Sequence, residues 1–235
     1  MPPLLRAVSR YRPAGCISSL LQLRELRLSE PVASPPLTGD NPDMPGAELT
    51  VEQFLNQRFE LPDAGQWTEL LRGVPVSLQP PDLEHGTIVY NLSRLMAEYL
   101  HRLEEPSGYP CFDLGVVVER TPDTVLFPAM TYFTSGPRFA EADKEATETV
   151  PQLVVELLST QDRRIAMHEK ASAYLRLGVP WIWQIDLPQR AVHVVSQHGH
   201  SRRFSELETL SQTDPLPGFE TKVFELFREP SWATR

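Results

Sequence analysis

The sequence predicts an α/β fold, and three observations carry that expectation. Apolar residues at Ile88, Val89, Leu92, Leu95, Met96, Tyr99, Leu100 and Leu103 recur at three- and four-residue intervals, the mark of a helix with one buried face. Two β-rich runs, residues 111–118 and 125–133, flank Thr121-Pro122-Asp123, whose turn chemistry suits an antiparallel hairpin. An apolar strand at residues 153–158, a helix at 162–177 stopped by Gly178, and a strand at 181–186 make a βαβ crossover, which sets its two strands parallel.

The remaining elements fall around these. Thr50 is a natural cap for a short helix at residues 51–57, and a short extended piece follows at 69–76. After Pro188, residues 191–196 and 201–204 flank the turn Gln197-His198-Gly199-His200 and predict a second hairpin. The core order is therefore helix, hairpin, strand, helix, strand, hairpin, without internal repeat. Residues 30–47 carry Pro31, Pro35, Pro36, Pro42 and Pro45, which disfavour helix and ladder alike. Residues 1–47 are thus expected to be a Pro-rich arm, 48–229 the domain, and 230–235 a tail. Met44, just ahead of the first regular segment, is a candidate translation start.

Composition narrows the function classes. The 235 residues are 41% hydrophobic, typical of a globular chain able to bury a core. A net charge of −9 and a pI near 5.2 argue against wholesale attraction to a polyanion and leave a local basic groove as the route to nucleic acid. Cys16 and Cys111 lie far apart, so neither a zinc site nor a disulfide framework is indicated, and a reducing, cytoplasmic compartment fits. No run of about 18 apolar residues marks a membrane span. Arg6, Arg10 and Arg12 occupy the place where a signal peptide ahead of Gly15-Cys16 would need an apolar stretch.

Two residues stand out chemically. Glu156 alternates in phase with Val154 and Leu158 and so points at a surface that helix should cover. An unpaired charge there costs on the order of several kcal/mol, so a metal, a lysine or an arginine is expected to meet it. Lys170 falls in a stripe with Ala166, Ala173 and Leu177, beside Met167 and Tyr174, from which its ammonium can reach Glu156. The competing readings are a glutamate at an exposed strand end and a lysine laying its stem over the core. Among the six histidines only His198 and His200 have ligand-like spacing, in a turn where solvation is the ordinary state, and His168 is a weak candidate on the Lys170 helix.

The segment PQLVVELLSTQDR, with Lys170, Tyr174, Gly178-Val179-Pro180 and residues 183–186, resembles the central signature of the putative restriction endonuclease family of the PD-(D/E)XK nuclease superfamily. Glu69-Leu70 with Gly73, Glu84-His85-Gly86, Leu216-Pro217-Gly218-Phe219 and Glu225-Leu226-Phe227 resemble its flanking motifs, so the likeness spans residues 50–227. It implies a restriction endonuclease-like mixed central sheet with flanking helices, Mg²⁺-dependent hydrolysis of DNA phosphodiesters, and a homodimer as the common assembly. It also implies a metal held by the aspartate of a Pro-Asp pair and by a strand glutamate, with a helix lysine completing the site. Glu156 matches the glutamate, Lys170 the lysine, and Pro128 the proline, but Ala129 stands where the aspartate belongs. Leu126 and Gln152 similarly occupy positions where relatives often carry arginine and aspartate. Asp113, Glu69 and Glu84 are the candidate substitute or accessory carboxylates. With one anionic ligand gone, a nuclease-derived protein of reduced activity is the first expectation. An active enzyme using another carboxylate such as Asp113 is the second, and an interaction module the third.

Overall fold

The first helix, α1 (Val51–Gln57), is opened by a reciprocal cap. Thr50 Oγ1 accepts from the Gln53 N–H at 3.2 Å, and Gln53 Oε1 accepts from the Thr50 N–H at 2.9 Å. The computed structural model describes residues 48–105, 108–137, 139–212 and 214–230. The arm expected at residues 1–47 and nearly all of the expected tail lie outside them.

Residues 69–76 form a hairpin where a single extended piece was expected. Strands β1 (Thr68–Leu71) and β2 (Val74–Ser77) pair antiparallel around Arg72 and Gly73, whose φ values of 52° and 78° fold the chain back. Arg-Gly carries no strong turn signature, which is why the sequence did not announce the reversal. The periodic segment is α2 (Leu83–Arg102), capped by Asp82 accepting from the His85 N–H.

The expected hairpin is present, yet it serves two sheets. Its arms break into β3 (Tyr109–Phe112) and β4 (Gly115–Glu119) on one side, β5 (Thr124–Leu126) and β6 (Met130–Phe133) on the other. β4 pairs with β5 and β3 with β6, both antiparallel. The break falls at Asp113, held at φ 55°, and opposite it at Phe127-Pro128-Ala129, where proline has no N–H to give a ladder. A short strand the sequence did not reveal, β7 (Ala146–Thr147), lies parallel to β4.

The βαβ unit is β8 (Leu153–Leu158), α3 (Gln161–Leu177) and β9 (Trp181–Asp186), with the two strands parallel and Gly178 ending the helix at φ 100°. Then β10 (Ala191–Ser196) and β11 (Ser201–Ser205) form the expected hairpin, and β12 (Thr209–Gln212) and β13 (Phe219–Lys222) an unexpected one. The six-stranded sheet runs β11-β10-β9-β8-β6-β3 and the five-stranded sheet β2-β1-β5-β4-β7. The mixed α/β class thus holds, with the strands divided between sheets where one central sheet was expected.

Strand alternation sorts the core. Leu153, Val155 and Leu157 of β8 pack with Trp183 against Ile88, Leu92, Met96 and Tyr99 of α2, while Val154, Leu158 and Ile182 face Met167, Ala171 and Tyr174 of α3. The closing segment completes the α2 side with Phe219, Leu226 and Phe227, tied down by Asn91 Nδ2 donating to the Leu226 and Arg228 carbonyls at 3.0 and 2.8 Å. Among the described residues no helix is long and apolar enough to cross a membrane.

Leu92→Ala removes a side chain that is 0% exposed between α2 and the sheet, and should lower the unfolding free energy in urea by about 2–5 kcal/mol. Leu83→Ala, at a position 81% exposed, should change it by no more than about 0.5 kcal/mol. Equal effects would contradict this core.

Candidate active site

Glu156 sits mid-strand in β8, facing α3 as the alternation requires, and its carboxylate is buried. Lys170 and Tyr174, one helical turn apart on α3, both reach it: Lys170 Nζ lies 3.4 Å from Glu156 Oε1, and the Tyr174 hydroxyl donates to the same oxygen at 2.7 Å. Lys170 has a closer partner in Glu69 Oε1, at 2.6 Å, and Glu69 comes from β1 of the other sheet. The same Glu69 oxygen accepts the Phe127 N–H at 3.2 Å, just beyond β5. Glu69, Glu156 and Lys170 are 2%, 4% and 5% exposed, so this is an ion cluster inside the protein and not a surface salt bridge.

Two carboxylates share one ammonium, and the directions of titration follow. Burial pushes the Glu156 carboxyl up; Lys170 pulls it down, while the Glu69 charge adds to the rise, and the net direction is up. Burial alone would push the Lys170 ammonium down, but the Glu156 and Glu69 charges outweigh it and hold it above its ordinary value. Burial first, and then both carboxylates, raise the Tyr174 hydroxyl well above its ordinary range, so it stays a donor. Lys170–Glu69 is thus the closer of the two ion pairs, and the Glu156 carboxyl is the group that burial and the neighbouring Glu69 charge raise.

The cluster floors a cleft of about 310 Å³, walled by Trp67 and Thr68 of the first hairpin, His85, Gly86 and Val89 of α2, Phe112 and Asp113, and Phe127-Pro128-Ala129. Continuing the β6–β8 register one residue past Met130↔Val155 sets Ala129 alongside Glu156, so an aspartate there would stand next to the glutamate. Arg163 closes one side, donating to the Gln79 carbonyl at 2.6 Å and to Thr160 Oγ1 at 2.9 Å. Burial, and secondly the Arg163 charge, bring His85 down to about 4, so its ring is neutral near pH 7. His85 Nδ1 lies 2.9 Å from Ser159 Oγ.

Among the residues picked out from sequence, Glu156, Lys170, Glu69, Asp113 and Ala129 meet at this cleft. Glu84 does not: it is exposed on the first turn of α2, 3.6 Å from Arg190. His168 is exposed on α3. The buried line of α3 runs Arg163, Met167, Lys170, Ala171, Tyr174, rotated from the expected stripe of Ala166, Ala173 and Leu177 because the helix turns charged groups inward. Sequence reasoning gave Tyr174 and Arg163 no role, though they lie four residues after and seven before Lys170 and so share its face.

The donor set does not fit a resident Mg²⁺. That ion takes oxygen ligands in near-octahedral array, whereas both buried glutamates are committed to the Lys170 ammonium. Among the described residues no three His, Cys, Asp or Glu side chains converge as metal ligands. Asp113 lines the cleft, but burial raises its carboxyl and Arg58 is its offsetting charge.

Fold and site together define an α/β protein of the restriction endonuclease-like class. The crystal structure of a putative nuclease belonging to DUF820 from Anabaena variabilis ATCC 29413 matches with a TM-score of 0.60 over 76% of this chain and 97% of that one, at 17% identity, a likeness of fold. The model of the putative restriction endonuclease family matches residues 51–224, and the chain belongs to that family. No curated protein matches it.

Lys170→Met leaves both glutamates buried without their cation and should destabilise the protein by about 3–5 kcal/mol at neutral pH. The sign of the pH effect is set by Glu156. Its folded value lies above its unfolded one, so it contributes stability at acid pH that is lost as the pH rises through the folded value. Lys170, also raised, contributes stability that persists through neutrality and fades only as the pH climbs through its folded value. Urea unfolding of Lys170→Met should therefore show a smaller deficit at about pH 5 than at about pH 8. A deficit independent of pH would contradict the cluster.

Proposed function

We propose that this protein is a nuclease-fold member of its family, domain residues 48–229, that faces nucleic acid and has lost most or all metal-dependent phosphodiester hydrolysis. The observation that carries this reading is Ala129, an apolar side chain lining the cleft where the family resemblance implies a metal-binding aspartate. The coupling of Lys170 to both glutamates supports it. An ammonium that in a working site would steer water and offset charge on phosphate is here the counter-ion of the carboxylates themselves. The buried, free Cys111 is consistent with a reducing cytoplasmic setting.

One observation favours an active enzyme. Asp113 lines the same cleft as Ala129 and Glu156, so it is the substitute carboxylate that such an enzyme would use. The chemistry lost in the first reading is the activation of water and stabilisation of the phosphorane by Mg²⁺.

Plasmid nicking separates the two. Wild-type protein with Mg²⁺ or Mn²⁺ should leave supercoiled plasmid at the no-protein level, and Ala129→Asp should introduce metal-dependent nicking that Glu156→Ala removes. Robust cleavage by the wild type, abolished by Glu156→Ala and by Asp113→Ala, would overturn the proposal in favour of the active enzyme.

A further inference from the structure

We infer that the cleft beside Glu156 is a pocket for a single unpaired nucleobase, and that Gly86 is bare so that the ring can lie against the backbone of α2. The inference rests on the reading that this cleft faces nucleic acid, and is independent of whether it cleaves.

Gly86 is the fourth residue of α2, where glycine weakens a helix relative to alanine. Nothing in the fold asks for it. Its φ is not among the positive ones, and a Cβ placed on it would meet no atom within 4 Å. Gly108 and Gly115 differ: a Cβ would come within 2.3 Å of the Phe133 carbonyl oxygen in the first case and 2.9 Å of the Phe127 ring in the second. Gly86 lines the cleft, and its bare backbone leaves that stretch of wall open to a flat ring.

The lining selects a flat, hydrogen-bonding ring over a phosphate. Among the described residues lining the cleft, both permanently cationic side chains are already engaged, Lys170 with the two glutamates and Arg163 with Gln79 and Thr160. An anion at the floor would have to compete with Glu69 and Glu156 for the Lys170 ammonium. The walls instead offer the half-buried aromatic rings of Trp67 and Phe112, with Trp67 held edge-on to His85 at 82° and 6.1 Å between centroids, while the Phe127 ring is already covered by the Arg58 guanidinium at 3.8 Å. The Arg163 guanidinium carbon lies 5.6 Å from the centroid of the Trp67 ring. The carboxylates of the floor, held in place by Lys170 and Tyr174, present acceptors in fixed positions, which suits the amino edge of a base whose face lies on the wall. A cleft of about 310 Å³ holds one such ring and not a duplex.

The ring can come from a strand or from a free nucleoside, and the test separates them. Binding is measured in EDTA, so the outcome is independent of hydrolysis. A labelled single strand of about ten nucleotides is compared by fluorescence anisotropy with its duplex, and nucleosides and their monophosphates are titrated by calorimetry. The single strand should bind at least about tenfold more tightly than the duplex, and Gly86→Leu and Trp67→Ala should each weaken it at least about tenfold. The melting temperature of Gly86→Leu should equal or exceed that of the wild type. Nucleosides that bind with the same sensitivity to Gly86→Leu identify the free compound as ligand; binding by the oligonucleotide alone identifies the strand. Equal affinity for duplex and single strand, affinity unchanged by Gly86→Leu, no binding to any of these probes, or a lowered melting temperature in Gly86→Leu would each overturn the inference.

Discussion

The ammonium of Lys170, held between Glu69 and Glu156, is the contact on which the organisation of this protein turns. Three groups that would each be expensive to bury alone are buried together, and they come from three elements: β1, β8 and α3. Because β1 belongs to the five-stranded sheet and β8 to the six-stranded one, the cluster joins the two sheets where the hairpin β3–β6 crosses between them. The Phe127 N–H on Glu69 adds the crossing point itself to the network. Losing any member would strand the others in a medium that cannot solvate them.

The same arrangement supports the proposed loss of hydrolysis. A hydrolytic site of this fold needs its carboxylates free to hold a hard cation and its lysine free to meet water or phosphate. Here the carboxylates and the lysine satisfy one another, and the position nearest Glu156 along the extended register is a methyl group. The residual character of the cleft is aromatic walls over a fixed polar floor, with a glycine whose missing side chain the fold does not require. Those features are the ones the proposed recognition of a base would use.

Much of this was legible in the sequence, for identifiable reasons. The period of α2 and the strand, helix and glycine stop of the βαβ unit are strong local signals, and they fixed the side of β8 from which Glu156 projects. The pairing of Lys170 with Glu156 followed from that face and from helical spacing. The role of Glu69 did not: Thr68, Glu69 and Leu70 are all buried, so alternation carries no sign of which face meets the site, and its partner lies 101 residues away. The break of the hairpin into two sheets was equally hidden, since Asp113 adopts φ 55° without a glycine to mark it. Strands β7, β12 and β13 are short, and what makes them strands is pairing with distant partners.

Whether the Lys170 ammonium stands in for a metal at this site, as proposed, can be read by titrating the metal-free protein with Mn²⁺ and counting free ion by electron paramagnetic resonance. Association should be weak, no tighter than about millimolar, and the same for wild type and Glu156→Gln. One tight Mn²⁺ per chain that disappears in Glu156→Gln would contradict it.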